Sequence, residues 1–253
     1  MKIIITGATG LAGSEALRQL LLHPSVSQVT VLTRRELPPH IQPTPQNAKL
    51  RVIIHTDFNS YPSALLQQLE GYDGAIWDLG KTSIGMKEPE YEVIHVDYPL
   101  SAAKAFAAIK PEVGQKFVFT YLSGEGTTQD GAKATSMFGE IKGRAEAQLA
   151  TLSASHPTLS TFSFRPAMIL PVTPSPDDMF VKKMIFSIVR FIRPLINKYT
   201  IDANVLAQGM MEAIFRGGSG VIPGWEEKGK EGDFGAFGNL EIAKLASERE
   251  SEK

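Results

Sequence analysis

Ile3-Ile4-Ile5-Thr6-Gly7-Ala8-Thr9-Gly10-Leu11-Ala12-Gly13 stands at the head of the chain. Three consecutive isoleucines read as a strand buried on both faces, the mark of a parallel sheet. Three glycines follow at the spacing GxxGxxG. Beyond them, Ser14 to Leu22 puts Leu17, Leu20 and Leu21 on one face of a helix. A strand, a glycine turn and a helix in this order predict a phosphate cradle built on Gly7, Thr9, Gly10, Leu11 and Gly13. Glycine lets the chain turn tightly and lets backbone N–H groups approach a pyrophosphate. The helix N-terminus adds unpaired donors and the positive end of its dipole. A purely structural glycine turn is the plainer alternative.

Moving outward, His23-Pro24 ends the first helix, because proline cannot continue it. Val29 to Leu32 is the second predicted strand, followed by Thr33-Arg34-Arg35. Nicotinamide dinucleotide sites commonly carry an acidic residue here to bind the ribose 2′-hydroxyl. Two guanidiniums suit a 2′-phosphate instead, so Arg34 and Arg35 favour NADP(H) over NAD(H). A solvated basic turn is the competing reading. Leu37 to Asn47 carries four prolines and reads as a loop. Leu50 to Ile54 is a third strand, and Asp57 after it is either an adenine contact or an ordinary helix cap.

Ala64 to Leu69 reads as a short helix and Ala75 to Leu79 as a fourth strand, with Leu79-Gly80-Lys81 at its C-terminal end. Ligands bind at that edge of open parallel sheets. Tyr91 to Ile109 is a helical pattern that Pro99 should kink or break. Phe117 to Leu122 is the fifth strand, with Ser123 at its edge. A helix from Ser136 to Leu152 and a strand from Leu159 to Phe164 follow. This alternation predicts an α/β fold, a Rossmann-type doubly wound parallel sheet, with a small, mainly helical C-terminal region on the substrate side. The expected division is a dinucleotide-binding domain over 1–170, a lid region over 171–225 interleaved with the core, and a charged tail over 226–253. Within the lid region, Met179 to Ile196 and Val205 to Phe215 read as helices, and within the tail Leu240 to Leu245 as a short one.

Composition narrows the function classes. The chain has 253 residues, 43% of them hydrophobic, with a formal net charge of −1. That balance does not point to nucleic acid. With no cysteine there is no disulfide, thiolate metal site or cysteine nucleophile. The five histidines are scattered without ligand spacing, so no metal site is expected. No GxSxG elbow is present. Met1-Lys2 runs straight into the first strand, which predicts no secretory leader. No apolar run is long enough to span a bilayer, although the basic, apolar stretch Met179 to Ile196 allows a peripheral membrane contact. A cytoplasmic location, a small-molecule substrate and a monomeric or homodimeric state are expected.

These residues resemble the short-chain dehydrogenase/reductase superfamily, in its extended or atypical branch, over roughly the first two-thirds of the chain. The TGATGxxG form at Thr6 to Gly13 carries the resemblance. So do Leu79-Gly80, Tyr91-Glu92 with His95, Ser123, and the KGxxE-like run Lys142-Gly143-Arg144-Ala145-Glu146. Arg165-Pro166-Ala167-Met168-Ile169 is similar to the RPxxI segment, which implies that the backbone around Pro166 and Met168 faces the nicotinamide. Leu79 to Tyr91 with Met137-Phe138 looks like an epimerase-like subgroup. By resemblance, Lys142 binds the nicotinamide ribose, and Ser123 and Lys142 are catalytic.

One position departs from the pattern. The superfamily pairs tyrosine and lysine four residues apart on one helix face. Here Phe138 stands four residues before Lys142, and phenylalanine has no proton to transfer. Ser123, Tyr121, His95 and Lys81 remain as other polar candidates. The resemblance implies an NADP(H)-dependent oxidoreductase acting on a small organic substrate. The alternatives are a cofactor-binding regulatory or interaction module that has lost catalysis, and a redox-neutral isomerase or epimerase.

Overall fold

The computed structural model describes residues 1–41, 47–109, 116–172, 187–189, 191, 196–217 and 235–248. Its first strand, β1 (Lys2–Ile5), leads through the glycine turn into α1 (Leu11–Leu22). Then come β2 (Gln28–Thr33), β3 (Leu50–Ile54), α2 (Ser63–Gln68) and β4 (Gly74–Trp77). A long helical stretch is built from α3 (Glu88–Glu92), a π-helical turn over Val93–Asp97, and α4 (Tyr98–Ala107). The chain continues with β5 (Phe117–Leu122), α5 (Met137–Ser155), β6 (Leu159–Arg165), β7 (Met168–Leu170) and β8 (Thr200–Asp202). It closes with α6 (Ala203–Gly217), β9 (Ala236–Gly238) and α7 (Asn239–Glu248).

Seven strands form one parallel sheet in the order β3-β2-β1-β4-β5-β6-β9, and β7 pairs with β8 in a separate parallel pair. The reversal of strand order at β1 makes the sheet doubly wound, as expected. Ile3, Ile4 and Ile5 are all fully buried. Ile3 and Ile5 join the core on the side of α1, and Ile4 joins the core on the opposite side. This is the two-faced burial that three isoleucines in a row foretell.

One expectation is corrected by the C-terminal third. Residues 226–253 do not all form a tail. Ala236–Gly238 is the seventh strand of the sheet, and Ile242, Leu245 and Ala246 of α7 are buried. Helix α6 lies in the region expected to interleave with the core and packs into it. Its Leu206, Met210, Met211 and Ile214 join the core that α1 builds, and Gln19 of α1 donates to the Asn204 carbonyl at 3.0 Å. Sequence patterning finds α6 but cannot tell which sheet face receives it. The strand β9 is three residues long, too short to show any period. Most of the expected helix Met179 to Ile196, the residues 42–46 of the proline-bearing loop, residues 218–234 and residues 249–253 lie outside the described residues.

The π-helical turn in the long helix has a local cause. Proline at position 99 lacks the N–H that would bond the carbonyl of His95 four residues earlier. The ladder widens into the π-helical turn just before it. The buried hydroxyl of Tyr121 donates to that His95 carbonyl at 3.0 Å.

Candidate active site

The turn after β1 is built for close approach. Gly7 has a φ of +68°, which favours glycine, and a side chain there would run into the Asp78 carbonyl. A Cβ at Gly13 would collide with the Gly7 carbonyl and stand 2.7 Å from Oδ2 of Asp78. These two glycines therefore pack the turn against β4. Gly10 differs, because a Cβ there meets only the Gly7 carbonyl, at 3.2 Å. It is exposed and faces the cleft. Thr6 locks the far side: its hydroxyl accepts from the backbone N–H of Asp78 at 3.2 Å and of Leu79 at 3.1 Å. The start of α1 carries no capping side chain and no acidic residue in its first turn. Apart from the Gly13 N–H, which bonds the Asp78 carboxyl, the first-turn donors and the dipole are left available to an anion.

A cleft of about 620 Å³ opens in front of this turn. Gly7, Thr9 and Gly10 line it, as do Arg34 and Arg35 after β2 and Leu79, Gly80 and Lys81 after β4. All of these were expected from the sequence. Leu11 and Gly13 stand behind them in the first turn of α1. Both arginines are exposed, and Thr33 Oγ1 donates to the Arg35 carbonyl at 2.9 Å, which shapes their turn. Asp57 lines neither this cleft nor the next one. Its Oδ1 accepts from the Asn59 N–H at 3.0 Å, a local turn.

Asp78 also lines this cleft, and nothing in the sequence singled it out. Burial pushes its carboxyl up to about 8, against the opposing pull of the Lys142 ammonium and the Gly13 N–H. His95, whose role the sequence left open, lines neither cleft. Its ring is buried, lies 4.1 Å from the Tyr91 ring, and sets Nε2 3.2 Å from the Lys81 nitrogen and 3.0 Å from the Lys81 carbonyl oxygen. Burial, reinforced by Lys142, holds it down at about 3, so it stays neutral. His95 thus braces the Gly80-Lys81 loop, and a Cβ at Gly80 would stand 2.8 Å from its ring.

A second cleft of about 460 Å³ opens at the ends of β5 and β6. Ser123, Pro166 and Met168 line it, together with Phe138. The Phe138 ring packs over Gly124, where a Cβ would stand 2.6 Å from Cζ. The buried Ser123 hydroxyl donates to Thr127 Oγ1 at 3.3 Å. Lys142 is buried and lines neither cleft. Its Nζ donates to the carbonyls of Leu122 at 3.0 Å and Ser123 at 3.2 Å, and stands 5.2 Å from the Phe138 ring centroid. Burial pulls its ammonium down to about 8, while the charges of Asp78 and Glu146 resist. Glu146, one turn on, is buried and accepts from Arg165 Nε at 3.0 Å, tying α5 to the end of β6. Tyr121 is committed to the His95 carbonyl and does not reach the cleft.

The fold shared by these two clefts is found in known proteins. No protein-family profile matches the chain. Over 152 residues it is 38% identical to "Leucinostatins biosynthesis cluster protein T" of Purpureocillium lilacinum, covering 59% of this chain and 51% of that protein. The chain thus spans about half the length of that relative. It is 25% identical over 250 residues to "Protein fmp52-1, mitochondrial" of Aspergillus terreus, covering 97% of this chain and 99% of that one. Among solved structures, the PhqB reductase domain of Penicillium fellutanum superposes with a TM-score of 0.62 at 17% identity, over 87% of this chain and 64% of that one. A UDP-glucose 4-epimerase superposes with a TM-score of 0.62 at 16% identity, over 100% of this chain and 83% of that one. The chain therefore has the Rossmann-type fold of the extended, epimerase-like short-chain dehydrogenase/reductase proteins. The expected cytoplasmic location is overturned, because the Fmp52 relatives from Aspergillus terreus and Emericella nidulans are mitochondrial by name.

Proposed function

We propose that the chain is an NADP(H)-dependent oxidoreductase acting on a small organic carbonyl compound or activated double bond. The observation that carries this reading is the pairing of two clefts on one sheet edge. One is fronted by a glycine turn with Arg34 and Arg35 at its end. The other is walled by Ser123 and Phe138. Gly7, Thr9, Gly10 and the start of α1 would hold the pyrophosphate. Arg34 and Arg35 would pair with a 2′-phosphate, and Pro166 and Met168 would flank the nicotinamide. When bound, the dinucleotide supplies the hydride, and the protein supplies orientation. The PhqB reductase domain supports the redox reading by its fold alone. For location, the Fmp52 names favour the mitochondrion.

Phe138 favours a second reading, a cofactor-binding module without catalysis. One experiment tests both: calorimetric titration with NADPH and NADH, then a carbonyl panel read at the nicotinamide absorbance. The proposal expects tighter NADPH binding and turnover of some member of the panel. Hydrogen bonds to charged groups are worth roughly 1.5–3 kcal/mol each, so losing one phosphate contact weakens binding about tenfold to a hundredfold. The double variant R34A/R35A, which removes both partners, should therefore lose NADPH affinity by at least that factor and keep NADH affinity. G10V is the control for the cradle. Its new side chain faces the cleft rather than β4, so the protein should fold and fail to bind either cofactor. Equal wild-type affinity for both cofactors would refute the 2′-phosphate assignment, and NADPH binding without turnover would favour the module.

A further inference from the structure

With Phe138 in place of a hydroxyl, the second cleft needs another proton donor. Ser123 is poorly placed to be one, because its hydroxyl proton points to Thr127 Oγ1 and its side chain is buried. The lining of the same cleft also carries a phenol. Tyr199 lines the same cleft as Ser123 and Phe138 and is 49% exposed. It immediately precedes β8, whose Thr200 pairs with Met168 of β7. That register sets Tyr199 beside Ala167, in the segment that forms the cleft wall.

Its placement is held from two sides. The Oδ1 of Asn239, the first residue of α7, accepts from the Ala167 N–H at 3.1 Å, and its Nδ2 donates to the Lys198 carbonyl at 2.9 Å. One side chain thus clamps both edges of the β7–β8 pair next to Tyr199. The Lys198 ammonium stands 4.8 Å from the Tyr199 ring centroid, a cation–π contact that steadies the ring.

Building on the reductase reading, we propose that Tyr199 is the catalytic proton donor of this site, replacing the hydroxyl that Phe138 lacks. In carbonyl reduction, the carbonyl carbon gains a hydride from the reduced nicotinamide dinucleotide and the C=O π bond breaks onto oxygen. That oxygen takes the Tyr199 Oη proton, and water reprotonates the phenolate.

The test is Y199F, which keeps the ring and its Lys198 contact and removes one oxygen. NADPH affinity is measured by fluorescence titration and kcat over the carbonyl panel. A general acid is worth roughly 10²–10⁴-fold, so kcat should fall by that factor while NADPH affinity and melting temperature stay unchanged. Adding F138Y to Y199F should return part of the lost kcat, which a merely structural role of Tyr199 would not allow. A Y199F enzyme within about twofold of wild type in kcat overturns the assignment and leaves the reductase reading intact. A wild-type protein that binds NADPH but turns over no carbonyl overturns it too. A wild-type protein that does not bind NADPH overturns the reading on which it rests.

Discussion

Asp78 shows how one side chain behind the glycine turn sets a pH response. Its carboxyl, ordinarily near 3.8, is pushed up to about 8 by burial. A raised carboxyl means that the folded chain holds its proton more tightly than the unfolded chain does. The stability this contributes is fully present below about pH 4 and is lost as pH rises toward about 8. Lys142 works in a different window. Its folded value is lowered to about 8, so its contribution is present above about 10.5 and lost as pH falls through about 8. His95, held down at about 3, contributes with the opposite sign as pH falls below about 6.5, and it does so in wild type and in an Asp78 variant alike. The difference between the two proteins from pH 4 to 8 therefore belongs to Asp78 and not to Lys142. The variant D78N keeps an oxygen for the Gly13 N–H and cannot ionise. Melting temperatures across this range should show D78N gaining on wild type as pH rises. Parallel curves would mean that the Asp78 carboxyl ionises freely in the folded protein.

Helix α5 presents small residues where the loop after β5 must approach it. Side chains at Gly139 and Gly143 would strike the carbonyls of Gly126 and Thr128. This seating fixes Ser123 and Thr127 relative to Lys142. The substitution G143A sets two effects against each other. Alanine is the better helix former by roughly 0.5–1 kcal/mol. Forcing a methyl group into a packed contact costs typically about 1–3 kcal/mol. The clash is with backbone, which cannot swing aside, so the penalty should win. Denaturant unfolding should show G143A less stable than wild type by about 1–2 kcal/mol. A gain in stability would show that the loop does not rest on α5.

Across the whole molecule, the last described residues complete the sheet and its lower layer. Ile242 is fully buried and joins the same core as Ile3, Leu17 and Met210. Truncating a buried isoleucine to alanine costs roughly 2–5 kcal/mol. The variant I242A should lose stability in that range, measured by denaturant unfolding with the whole chain melting as one unit. A change below about 0.5 kcal/mol, the scale of surface substitutions, would return the segment to the status of a tail.

By itself the sequence determined the N-terminal part of the sheet and the glycine turn. Ile3 to Ile5, the glycine spacing and the alternation of apolar runs with helical periods are local patterns. Local patterns survive without knowledge of partners, which is why six of the sheet strands were legible, as were the glycines, the arginines and residues 79–81 of the first cleft's lining. What the chain does with distant segments was decided in three dimensions. A three-residue strand such as Ala236–Gly238 has no period of its own and exists because the edge of β6 offers it hydrogen bonds. Asp78 reads as an ordinary strand end until Gly13 and Lys142 close around it. Tyr199 is 61 residues from Phe138 in sequence, and it reaches the same cleft because β7 and β8 pair and Asn239 clamps them. Such contacts cost loop-closure entropy that burial and hydrogen bonds must offset together, and no local stretch of sequence records that balance.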